Sequence, residues 1–124
     1  MQINWFNEKP KDCVVTVANG NLTLNKPATN FFDTAYSVML GYNKDNKLMF
    51  IKPLSKEVAT KHDIPENAKY RITVRSSYSR VANKAFVNEI ADLMQLDLEN
   101  QTYKYKATWD AKEKLLIVDL KEAV

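Results

Sequence analysis

Tyr42 to Leu54 reads YNKDNKLMFIKPL, a polar turn followed by a strand that is apolar on both faces. Sixty-seven residues further on the chain says nearly the same thing: Trp109 to Leu120 is WDAKEKLLIVDL. A strand with no wet face belongs inside a sheet, flanked by neighbours. Two such hairpins in 124 residues predict one sheet built from two similar halves.

The match extends upstream. VTVANGNLTLNKPATNFFDTA (Val15 to Ala35) sets against ITVRSSYSRVANKAFVNEIA (Ile72 to Ala91) at an offset of 57 or 58. Each opens with an apolar-Thr-Val strand, passes a polar loop, and reaches an Asn-Lys pair, Asn25-Lys26 and Asn83-Lys84, before a segment of helical spacing. Asn25 is placed to cap a short helix, with Pro27 in its first turn. Ala28, Phe31, Phe32 and Ala35 form that helix's apolar stripe. In the second half the spacing predicts a longer helix, from about Val81 to Leu96, burying Ala82, Phe86, Ile90, Leu93 and Met94. The first strand there is expected over Tyr70 to Arg75, and Pro53 is expected to stop the strand that begins at Leu48. Tyr103, Tyr105 and Ala107 alternate with Lys104 and Lys106, which predicts a half-exposed strand with the lysines outward.

The expected fold is α+β: two tandem strand-helix-hairpin repeats packed around a pseudo-twofold as one mixed barrel or twisted sheet. Repeat one covers about 13–54 and repeat two about 70–120, as a single domain over 1–124. A connector over 55–69 holds a short helix capped by Ser55 and a turn at Pro65. One repeat alone has too few strands to stand by itself.

The bulk composition narrows function. Hydrophobic residues make up 45% and charged residues 27%, which suits a folded domain over a disordered chain. The apolar runs are far shorter than the roughly 20 residues of a spanning helix, so no membrane partner is expected. No basic-then-apolar leader is visible in MQINWFNEKPKD, and a single cysteine, Cys13, allows no internal disulfide. The cytoplasm is the expected compartment. Cys13 reads as a small strand residue. His62, the one histidine, reads as a surface residue of the connector. One His and one Cys with scattered carboxylates give no metal spacing and no nucleophile-base pair. Gly20 and Gly41 are the only glycines, too few for a phosphate-cradling loop. No enzyme activity, catalytic residue, metal or cofactor is expected.

Net charge is +3, and fifteen of the eighteen basic residues are lysine. The three arginines, Arg71, Arg75 and Arg80, lie within ten residues of one another. Arginine's planar fork suits phosphate and guanine.

The first half resembles the AbrB/MraZ swapped-hairpin family, through Val15 and Val17, Gly20, Leu22 and Leu24, Phe32 and Ala35, Val38 and Leu40, then Leu48, Ile51 and Pro53. The family has proline where this chain has Asn25, an arginine in the short helix, and a Gly-Asp pair before the second hairpin. The first half lacks these, and the second half lacks glycine altogether. The resemblance implies a double barrel and DNA binding through the loop after the first strand and the helix start. Carried over by position, it selects Lys26 in the first half and Arg75, Ser77, Arg80 and Lys84 in the second. Double-stranded DNA is then the expected partner and transcription regulation the expected role. The alternative is a protein-interaction or assembly module on the same scaffold, acting through a protein partner or a homo-oligomer. In that case Trp5 and Phe6 project from the body and anchor the partner.

Overall fold

The structure, a computed structural model, describes residues 1–6, 11–61 and 63–124; His62 lies outside them. Eight strands and three helices follow in the order β1 (Cys13–Ala18), β2 (Asn21–Leu24), α1 (Lys26–Thr29), β3 (Ser37–Asn43), β4 (Leu48–Leu54), α2 (Lys56–Ala59), β5 (Thr73–Val74), β6 (Ser79–Ala82), α3 (Lys84–Met94), β7 (Tyr103–Asp110) and β8 (Leu115–Ala123). Short 3-10 turns at Asn30–Phe32 and Glu66–Ala68 complete the chain.

The strands form one sheet in the order β3-β4-β8-β7-β1-β2-β6-β5. Every pair among the described residues is antiparallel, so the sheet is not mixed. Parallel neighbours need a crossover of a dozen or more residues, and tight hairpins join β1 to β2, β3 to β4, β5 to β6 and β7 to β8. The sheet curls until its two edges share one segment. Tyr70 exchanges both backbone hydrogen bonds with Val38 on edge strand β3, at 2.9 and 2.8 Å. Three residues later the same segment becomes β5, the opposite edge. That bridge shortens the strand expected over Tyr70 to Arg75: only Thr73 and Val74 pair with β6.

Alternation builds the interior. Val15 and Val17, Leu22 and Leu24, Met49 and Ile51, and Leu116 and Val118 are all fully buried. Each such side chain adds about 1.5–3 kcal/mol relative to exposure. Phe32 and Ala28 close the core from the α1 side, and Val87 and Ile90 from α3. A buried Thr29 hydroxyl pairs with that of Ser79 at 2.9 Å, and also reaches the Leu24 carbonyl at 3.2 Å. It ties α1 to β6, 50 residues apart.

Both predicted caps are present: the Asn25 side-chain oxygen accepts from Ala28 N at 3.2 Å, and the Ser55 hydroxyl from Val58 N at 3.3 Å. Asn83, expected inside the longer helix, caps it instead, its side-chain oxygen accepting from Phe86 N at 2.9 Å. Asn25 also accepts from Val14 N at 3.0 Å and donates Nδ2 to the Asp12 carbonyl at 2.9 Å, pinning the start of β1. The two long hairpins turn alike. The Asn43 side chain accepts from Asn46 N, and that of Asp110 from Lys112 N and Glu113 N. Lys47 and Lys114 follow at φ 53° and 54°, a left-handed conformation that costs a non-glycine residue about 1–2 kcal/mol. Side-chain-capped turns and the sheet beyond hold them there.

Three local expectations are corrected. β4 runs through Pro53 to Leu54. Pro53 faces Val38, whose N–H and C=O are both committed to Tyr70, so the missing proline donor leaves nothing unpaired. Residues 81 and 82 belong to β6, and α3 starts only at Lys84, because Val81 and Ala82 complete the ladder against Leu22 and Asn21. Phe31 leaves the apolar stripe: it is exposed and stacks flat on Trp109, with centroids 4.5 Å apart at 9°.

Candidate nucleic-acid interface

Because inward positions are apolar, the outward positions of each strand decide what the sheet presents. On β1 these are Val14, Thr16 and Ala18; on β2, Asn21 and Thr23; on β6, Arg80 and Ala82; on β5, Thr73. β7 adds Lys104, Lys106 and Thr108, all exposed, with Asp110 at its end. The charged side chains in this set are Arg80, Lys104 and Lys106, all positive, and Asp110, whose carboxylate is committed to the turn that follows. The registers align them. Lys104 faces Thr16, Thr16 faces Thr23, Thr23 faces Arg80, and Arg80 faces Thr73. Lys104, Thr16, Thr23, Arg80 and Thr73 thus form one row across five strands. At about 4.8 Å per strand it is roughly 19 Å long along the sheet.

Arg80 sits near the middle of this surface. The sequence reading put it in a loop; the structure puts it in β6, with its guanidinium carbon 5.4 Å from the centre of the Tyr78 ring. A cation over an aromatic face gains about 0.5–1 kcal/mol at an exposed site and is held in place. Ser79, its neighbour in the polar stretch, is buried on Thr29 and takes no part in the surface.

The other predicted residues divide between the two ends of the β2-β6 ribbon. Leu24 faces Ser79, so Lys26 at the start of α1 comes beside the β5-β6 loop that carries Arg75 and Ser77. The Arg75 N–H donates to the Tyr78 carbonyl at 2.8 Å and closes that loop. Lys26, Arg75 and Ser77 are all exposed. Asn21 faces Ala82, so Lys84 lies at the opposite end, beside the turn at Asn19 and Gly20. Lys26, Arg75 and Ser77 share one end, Arg80 lies between, and Lys84 marks the other.

Sequence reasoning missed the threonines. The signal was present: Val15-Thr16-Val17, Leu22-Thr23-Leu24 and Ile72-Thr73-Val74 each set a hydroxyl between apolar neighbours. What the sequence did not give was the register that lines them up. It did place Lys104 and Lys106 opposite the tyrosines. Burial, and then Tyr103 beside it, push the Tyr105 phenol above its ordinary value, as an inward ring requires.

The opposite side of the curl differs. The outward residues of β4 and β8 include Leu48 and Phe50, facing Asp119 and Ile117, all half-buried. Cys13 lies at the start of β1; burial, then the charge of Asp12, raise its pKa, leaving the thiol protonated at neutral pH. Among the described residues no group of three or more His, Cys, Asp or Glu side chains is placed to hold a metal, and no helix is long and apolar enough to cross a membrane.

No protein-family model matches the chain, and neither does any curated protein or solved structure.

Proposed function

We propose that the chain is a duplicated strand-helix-hairpin protein of the AbrB/MraZ type that binds double-stranded DNA through the face centred on Arg80, as a small regulator. The observation that carries the binding is the row from Lys104 to Thr73: hydroxyls and cations on a regular lattice, with no carboxylate among the outward residues of β1, β2, β5 and β6. Thr, Arg and Lys side chains are the usual donors to phosphate oxygens.

Duplication is supported by the pairing pattern. Exchanging β1 with β5, β2 with β6, β3 with β7 and β4 with β8 turns the β1-β2 and β3-β4 hairpins into the β5-β6 and β7-β8 hairpins. It maps β4-β8 and β2-β6 onto themselves. The registers obey the offsets seen in the sequence. Moving 67 places converts the pair Met49 and Val118 into Leu116 and Ile51, which also face each other. Moving 58 places converts Asn21 and Ala82 into Ser79 and Leu24, again a pair. The caps Asn25 and Asn83 and the left-handed Lys47 and Lys114 correspond at the same offsets. On this reading a pseudo-twofold passes between β2 and β6, and the interface is built around it, as suits a duplex whose two strands run antiparallel.

Titrating a fluorescent random duplex with the protein, followed by anisotropy, tests the binding. Neutralising four phosphates makes affinity fall about a hundredfold between roughly 50 and 200 mM salt. Absence of binding at the lower salt removes the DNA reading.

Exposure of Trp5 and Phe6, 83% and 91%, favours a second reading, an assembly module. The two readings use different surfaces and are compatible.

A further inference from the structure

The stack that Phe31 makes with Trp109 is left partly uncovered, and two lysines stand beside it. α1 ends at Thr29, and the 3-10 turn after it swings Phe31 out onto Trp109, with centroids 4.5 Å apart at 9°. The end of β4 and the helix α2 face this stack across a cleft of about 440 Å³, whose apolar walls include Phe31, Pro53, Leu54, Val58 and Trp109. Phe31 and Val58 are exposed. Small-molecule sites span roughly 300–1,000 Å³, so the cleft is large enough to be one. Its charged lining residues, Lys52 and Lys114, are both cationic, and the hydroxyls of Thr34 and Ser55 complete its polar side chains. Lys52 Nζ donates to the Glu113 carbonyl, which sets that ammonium at the turn carrying Lys114, the next residue. Neither lysine has a carboxylate partner among the described residues. A flat apolar wall therefore ends at two positive charges.

We propose that this cleft binds a small planar aromatic carboxylate, its ring packed on the Phe31-Trp109 wall and its carboxylate on Lys52 and Lys114. Charge complementarity selects the anion. A carboxylate between two ammonium groups relieves their repulsion, and its charge-assisted hydrogen bonds are roughly twice as strong as neutral ones. The wall selects the ring, because a flat aromatic face packs against aromatic side chains with a preference beyond the area it buries. An uncharged ring leaves both lysines unpaired, and an aliphatic acid gives the wall no matching face. The cleft shares no residue with the row from Lys104 to Thr73, so this site does not rest on the nucleic-acid reading.

The test is an ¹H-¹⁵N titration of the full chain with 2-naphthoate, without DNA. The chain has two tryptophans, so one indole N–H signal reports from the cleft and one from the N-terminal arm; Trp5→Phe assigns them. The expected result is a saturable shift of the Trp109 indole and the Val58 amide, with a dissociation constant of about 1 mM or tighter. Naphthalene-2-methanol, the same ring without the charge, is expected to bind about 5- to 10-fold more weakly. Cyclohexanecarboxylate, the same charge without the flat ring, is expected to lose about 3- to 10-fold, and so is naphthoate on Phe31→Ala. Lys52→Gln/Lys114→Gln keeps both stems and a donor for the Glu113 carbonyl, and is expected to bring naphthoate down to the affinity of the neutral alcohol. A Trp109 indole that does not move at millimolar naphthoate, or a shift at Trp5 in its place, overturns the proposal. So does an alcohol that binds as tightly as the carboxylate, a cyclohexane acid that binds as tightly as the naphthalene one, or a naphthoate affinity that survives the paired lysine substitution or Phe31→Ala.

Discussion

Arg80→Glu is expected to lower duplex affinity by about 10- to 100-fold at low salt, the loss of one strong contact plus a repulsion beside the phosphates. The substitution is informative because the side chain faces outward from β6 between Thr23 and Thr73. Its removal leaves the core intact and gives up only the contact with Tyr78, so stability should fall by no more than about 1 kcal/mol. Tyr78 beneath the guanidinium holds the charge over the row, and glutamate cannot use that ring. Lys84→Glu, at the end of the ribbon, is expected to cost less. A larger loss from Lys84→Glu than from Arg80→Glu, read in the same anisotropy titration, would move the interface to the turn at Asn19 and Gly20.

Phe32→Ala is expected to destabilise the fold by about 3–5 kcal/mol, a drop of roughly 12–20 °C in melting temperature at about 4 °C per kcal/mol for a domain this size. Phe32 is fully buried and meets Trp109 edge-on, with centroids 6.3 Å apart at 74°. It is the largest fully buried side chain of the described residues, so its truncation opens the largest void. Phe31→Ala, one residue away, removes a stacked but exposed ring and should cost only about 0.5–1.5 kcal/mol. Thermal melts of the two variants side by side give the comparison; equal losses would contradict the placement of the core.

That pair also marks how far the sequence could be read. Helical spacing put Phe31 and Phe32 on one stripe, but α1 ends at Thr29 and a 3-10 turn follows. In so tight a turn neighbouring side chains diverge, and Phe31 swings out to Trp109, 78 residues away in sequence. Local signals survived well. The Asn25 and Ser55 caps, turns closed by Asn43 and Asp110, and the alternation of β7 each depend on residues close in sequence. Signals that depend on distant partners did not. The start of α3 gave way because Val81 pairs with Leu22, and Pro53 sits inside a strand because Val38 has another partner in Tyr70. The interface is of this second kind. Thr16, Thr23 and Thr73 are ordinary strand residues one by one, and only the pairing across β1, β2, β6 and β5 makes them a row with Arg80 and Lys104.

The most direct test of DNA binding by that row is an amide ¹H-¹⁵N titration of the full chain with a short duplex at low salt. The expected result is shifts concentrated at Thr16, Thr23, Thr73, Arg80, Lys104 and Lys106, extending to Arg75, Lys26 and Lys84, with Phe50 and Ile117 on the far side unmoved. Shifts confined to Phe50, Ile117 and their neighbours, or a spectrum that does not change, would contradict it.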